Sequence, residues 1–157
     1  RFRALDEPRI HIGQHTEPHQ GRVCPMMPMV FYTHSGVRYL VLVAAAAAVV
    51  YLLVGMLRGG QFDKLAKILT AAYVGLLDLQ VVTGVVLYWL IPSYPKLLGH
   101  VVMALAAVTV AHVTNIMNKR RDEPSLGIAL AGVVISLILI VGGIWAIGRE
   151  ILGTSSL

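Results

Sequence analysis

LLGHVVMALAAVTVAHVTNIM, residues 97 to 117, decides how the chain is read. It sets His100 and His112 into an apolar run long enough to be a membrane-spanning helix. Histidine is the commonest protein ligand for metals and is costly inside a bilayer. Two of them in such a run therefore point to function before packing. The rest of the chain reads as the bundle that holds them.

Composition agrees with a membrane setting. The 157 residues are 57% hydrophobic and 13% charged, with mean hydropathy +0.74, too apolar for a soluble domain of this length. A net charge of +5 and a pI near 9.7 come from basic residues in the leader and at helix ends. No basic stripe with interleaved aromatics is present, which sets nucleic acid aside. The single cysteine, Cys24, excludes an intramolecular disulfide and any CxxC motif.

Outward from the opening stretch, three more apolar segments follow the same rule of length. The expected helices are about 34–57, 64–90, 97–118 and 126–148, within a membrane domain over 29–157. The run of alanines at 44–48 offers a surface that a neighbouring helix can approach closely. Lys64 and Lys67 at one end and Tyr88 and Trp89 at the other anchor the second span at both interfaces. Short connections predict an all-α, integral membrane four-helix bundle running up-down-up-down.

Residues 1–28 are polar and broken by Pro8, Gly13, Pro18, Gly21, Pro25 and Pro28, and read as an irregular leader that need not belong to the working protein. His11, His15 and His19 with Cys24 and the following methionines would suit copper, but Gly13 and Pro18 spoil a helix that would align them. Copper or proton transport is the weakest functional reading.

Basic residues give the orientation. Arg58, Lys64, Lys67, Lys119, Arg120 and Arg121 fall on one side, against Arg38, Lys96 and Arg149 on the other when the leader is left out. The positive-inside rule then places both termini outside the cytoplasm of a prokaryotic inner membrane. Counting the four leader arginines reverses the balance.

Depth can be counted along each span. His34 opens the first and His100 lies one turn into the third from the same side, with Cα atoms about 6 Å apart in depth. Two histidines from different helices at one depth suit a bis-histidine b-type heme, with one axial nitrogen from each. Arg38, one turn after His34, stands where a heme propionate would emerge. Gly84, Gly142 and Gly143, in the same half, would give a porphyrin room, although glycine is common in membrane helices. His112 lies twelve residues past His100, about 18 Å along the axis and about 120° around it, so the two cannot share an iron. At mid-depth Asp78 must face the interior and stay protonated or pair with His112, Gln80 or Ser136, as an interhelical polar pair or a site for proton or quinone chemistry. Each residue also has a plainer reading: His34 as a helix cap, Arg38 as an interfacial anchor, and His112 as a core histidine bonded to Asp78 or Thr109.

The segment His34-Ser35-Gly36-Val37-Arg38-Tyr39, then Asp78-Leu79-Gln80 with Gly84, then His100, resembles a group of small four-span bacterial cytochrome-b-like membrane proteins over roughly residues 30–148. More distantly it is similar to cytochrome b561-type four-helix carriers. Such proteins often carry Glu before the third-helix histidine, where this chain has Gly99. The b561 type generally has two bis-histidine pairs, against three membrane histidines here. The resemblance implies one heme b near the outer face, exchanging electrons with a quinol or a partner protein. From a different class, the chain reads as a non-heme structural or accessory subunit of a larger membrane complex, packed on other membrane subunits. No nucleophile-base set, phosphate loop or paired catalytic carboxylates is found, so a carrier or accessory subunit is expected rather than an independent enzyme.

Overall fold

The computed structural model describes residues 26–92 and 95–148, which form four helices. These are α1 (Met26–Leu57), α2 (Lys64–Leu90), α3 (Pro95–Lys119) and α4 (Leu126–Ala146), each long and apolar enough to cross a membrane. The leader through Pro25 lies outside the described residues, and with it His11, His15, His19 and Cys24.

α1 opens at Met26, eight residues ahead of the expected start near 34, and takes in Pro28. Proline needs no amide partner in a first helical turn, so Pro28 begins the helix where the sequence pattern read a break. Pro95 likewise opens α3.

Local chemistry fixes the turns. Gly59 takes φ +66°, a left-handed conformation suited to glycine. Its N–H bonds the Met56 carbonyl at 3.1 Å while that of Gly60 bonds the Gly55 carbonyl at 2.8 Å, closing α1 in a Schellman motif. Asp63 then caps α2, its Oδ1 accepting from the Ala66 N–H at 2.8 Å. Its Oδ2 accepts from the Tyr51 hydroxyl at 2.5 Å, which ties the turn back to α1. Between α3 and α4, the Asn118 side chain, only 1% exposed, accepts from the Ser125 N–H at 2.8 Å.

The helices pack in a ring in which α1 touches α2 and α4, and α3 touches α4 extensively but α2 only thinly. The buried stripe of α1 is Val37, Val41, Ala45, Ala48 and Leu52, spaced by three and four, so it occupies one face. Ala45 and Ala48 are fully buried, and this is the use of the alanine run. Leu40, Val43, Val50 and Leu53 on other faces remain exposed, as lipid contact allows. Lipid tails are as apolar as leucine, so helix association rests on close packing and interhelical hydrogen bonds rather than on burial from water. α3 and α4 meet closely because Gly132 has no side chain: a Cβ there would overlap the side chain of Thr114. Tyr73 on α2 and Ser136 on α4, both fully buried, share a hydrogen bond of 2.6 Å.

Candidate functional site

The N-terminal parts of α1 and α3 and the C-terminal parts of α2 and α4 enclose a cavity of about 400 Å³, within the size range of small-molecule and cofactor sites. His34 and Arg38 line it from α1, Gln80 and Gly84 from α2, His100 from α3, and Gly143 from α4. Most of the remaining wall is aliphatic.

His100 is held by its Nδ1, 2.9 Å from the Gly143 carbonyl oxygen. A carbonyl only accepts, so Nδ1 carries the proton and, in the neutral ring, Nε2 keeps its lone pair. Metal-ligating histidines are oriented in this way, through an oxygen acceptor on the far ring nitrogen. Gly143 contributes more than its carbonyl, since a Cβ there would lie 3.4 Å from the His100 ring and 3.2 Å from Met103.

His34 repeats the pattern from α1. Its Nδ1 lies 3.1 Å from Thr83 Oγ1 and its Nε2 lies 3.1 Å from Gln80 Nε2. The Thr83 hydroxyl donates to the Leu79 carbonyl at 3.0 Å, leaving its oxygen to accept from Nδ1. Nε2 then accepts from the Gln80 amide. Gln80 Oε1 is buried without a hydrogen-bond partner at the wall of this cavity, an acceptor that a bound molecule or water would satisfy. Gly84 gives the ring its place: a Cβ there would come within 3.0 Å of His34 Cε1. Gly84 and Gly143 thus make room for the two imidazoles themselves. Gly142 makes room for Met103 instead, whose Cε would lie 2.8 Å from a Cβ at that position.

Arg38 lies one turn from His34 on the cavity wall, its guanidinium 4.8 Å from the Tyr39 ring centroid and donating to the Tyr39 hydroxyl at 2.9 Å. Gly99, the departure from the cytochrome-b-like pattern, faces Ala146.

Asp78 and His112 meet outside this cavity, with Nε2 to Oδ1 at 2.7 Å across the thin α2–α3 seam. A contact of that length holds one proton between a nitrogen and an oxygen. Of the partners weighed for Asp78, His112 takes the contact. Gln80 turns to His34 and Ser136 to Tyr73. Thr109 bonds the Leu105 carbonyl in its own helix and leaves His112 to Asp78.

The links His34–Gln80, His34–Thr83 and Tyr73–Ser136 were not expected from the sequence. Spacing does carry part of the first two, because Gln80, Thr83 and Gly84 recur at three and four residues and share one face of α2. Among the described residues no three His, Cys, Asp or Glu side chains form a group that could hold a metal ion. Comparison with known proteins gives no match to the chain among family models, curated sequences or solved structures.

Proposed function

We propose that the chain is an electron-transfer subunit of the prokaryotic cytoplasmic membrane in which His34 of α1 and His100 of α3 would hold one b-type heme. The single observation that carries this reading is that both imidazoles line one cavity, each with Nδ1 bonded to an oxygen and Nε2 as the ring nitrogen with a lone pair. Two imidazoles alone make a poor site for a bare ion. They suffice for an iron already held by porphyrin nitrogens. The mostly aliphatic wall fits a large apolar cofactor.

Heme would supply a one-electron couple. The chain's own residues would do the remainder. The Gly143 carbonyl and Thr83 hydroxyl would orient the two rings and raise their basicity, and the Arg38 guanidinium would pair with a propionate. Gln80 would release Nε2 of His34 on ligation. In this reading the helices run up-down-up-down with both termini outside the cytoplasm, which puts the cavity in the outer half. The resemblance to cytochrome-b-like proteins supports the same assignment, with a quinol or a partner protein as the redox partner.

A dithionite-reduced minus air-oxidised visible spectrum of the purified protein, with a pyridine hemochrome assay, tests it. A sharp b-type band at a single heme per chain is the expected result. A colourless protein after expression with added heme overturns the proposal. It would favour the second reading, an accessory subunit of a larger membrane complex. That reading is supported by the fact that His34 and His100 already serve as interhelical hydrogen-bonding groups, and it predicts co-purification with a large partner.

A further inference from the structure

Asp78 stands well inside α2, about 18 Å of helix rise before its end at Leu90, and meets His112 of α3 at 2.7 Å. Ionisable groups at such a depth face a bundle interior, because hydrocarbon cannot hydrogen-bond them. Within one chain these two do not. Their side chains are 46% and 44% exposed, and neither lines the large cavity or the small one of about 10 Å³ beside Asn118. They stand on the outer side of the seam where α2 and α3 touch only thinly.

The surface around the pair is continuous across both helices. Ala71, Gly75 and Val82 flank Asp78 on α2, and Leu105, Thr109 and Ile116 flank His112 on α3. At about 100° per residue each lies within about 60° of its polar residue, and all are exposed. Gly75 makes room for nothing inside the chain, since a Cβ there would meet no atom within 4 Å. Small residues such as Ala71 and Gly75 let another helix approach closely in a membrane.

The pair offers the groups that it lacks. Its hydrogen bond uses Nε2 and Oδ1, which leaves His112 Nδ1 and Asp78 Oδ2 without a described partner. An Asp78 carboxylate with a His112 imidazolium is neutral as a pair and carries a proton on each ring nitrogen. Nε2–H then serves its own Asp78, and Nδ1–H is a donor matched to another Oδ2. Because Asp78 and His112 touch, they share a depth. A two-fold axis along the membrane normal preserves depth and sets α2 of one copy against α3 of the other, so each Asp78 meets the His112 of the second copy. The four side chains would close a ring of hydrogen bonds in which every neighbour has the opposite charge.

We infer that the α2–α3 seam is the interface of a symmetric dimer, in which Asp78 Oδ2 of each copy accepts from His112 Nδ1 of the other. A second copy turns an outward polar pair into an interior one and gives Gly75 a helix to receive. The interface does not depend on heme.

The test is energy transfer between two batches of the protein, labelled with donor and acceptor at the single cysteine, Cys24, and reconstituted together in phosphatidylcholine liposomes over a range of protein-to-lipid ratios. Saturable transfer that fits a dimer is expected. Asp78→Leu with His112→Leu removes both polar groups and leaves no unpaired charge. It should weaken association about tenfold, from two interchain bonds at about threefold each. Gly75→Leu, which leaves the pair intact, should weaken association by a similar factor. In a Cys24→Ser background, Val82→Cys in one batch and Thr109→Cys in the other should crosslink when mixed and oxidised, because both stand one turn from the pair on facing helices. His100→Ala should associate like wild type, so a colourless protein that dimerises sinks the heme and leaves the interface standing. The inference is overturned if wild type is monomeric, if the double leucine variant or Gly75→Leu associates as tightly as wild type, or if the dimer crosslinks only through other helices.

Discussion

The two ends of the bundle are built from the same kinds of residue and do opposite things with them. At the end where α1 and α2 turn and α3 and α4 turn, each of the polar groups Tyr51, Asp63, Thr114, Asn118 and Ser125 is bonded to a neighbour. The cavity left there, about 10 Å³, is at the lower limit for one water. At the other end His34, Gln80 and His100 are also bonded, yet they surround about 400 Å³ and leave a buried amide oxygen without a partner. Glycine shows the same contrast. Gly132 lets α3 and α4 close on each other, while Gly84 and Gly143 let rings stand beside a space. A polar group spent on a helix contact makes a scaffold, and one aimed into a void makes a site.

The sharpest way to break the contrast is at His100. On the function proposed, His100→Ala should abolish the heme band completely while the protein still purifies as a folded species, read by the reduced-minus-oxidised spectrum and by size-exclusion elution. A variant that keeps a full band would overturn the proposal that the large cavity holds a heme through His100.

At the closed end the expected effect is on stability and leaves the spectrum alone. Gly132→Ala drives a methyl into Thr114, an overpacking that should cost about 1–3 kcal/mol. A thermal melt in detergent checks it, and an unchanged midpoint would mean that α3 and α4 can part without penalty. Tyr73→Phe removes the 2.6 Å bond to Ser136, whose hydroxyl retains its contact with the Val133 carbonyl at 3.0 Å. Interhelical hydrogen bonds in membranes average about 0.6 kcal/mol, and a loss of that order is expected from chemical denaturation.

The smallest effect belongs to the turn. The Tyr51 hydroxyl, and after it the Ala66 N–H, hold the Asp63 carboxyl below the usual carboxylate range. Because the folded value is the depressed one, the stabilisation is complete above the unfolded pKa of about 3.9 and is lost as pH falls through the lower folded value. Melting midpoints of wild type should therefore drop on the acid side, and Asp63→Asn should flatten that drop. An equal drop in both would place the acid sensitivity elsewhere.

Much of this was legible in the residues. Span length reads directly from hydropathy because the bilayer sets it, and α2 falls on its expected bounds, Lys64–Leu90. Counting rise per residue put Asp78 and His112 close in level, as it did His34 and His100; the first two meet, which was among the pairings expected, and the second two line one cavity. What counting misses is rotation about the helix axis. Gln80 is two residues from Asp78 and so about 160° around from it; the packing of α1 on α2 turns it to His34. The start of α1 at Met26 was missed because prolines near it read as breakers, and only a helix already in place shows that Pro28 stands in its first turn.

By itself the sequence determined that the chain has four apolar segments of membrane length, and how far along its own helix each polar side chain stands, since one residue advances a helix by a fixed rise. The tertiary structure alone decided which polar groups meet, where the helices part to leave a cavity, and that α2 and α3 touch only thinly. Those depend on how each helix is rotated and how closely it approaches its neighbours, and small contacts such as Gly132 on Thr114 and Gly84 on His34 set that approach.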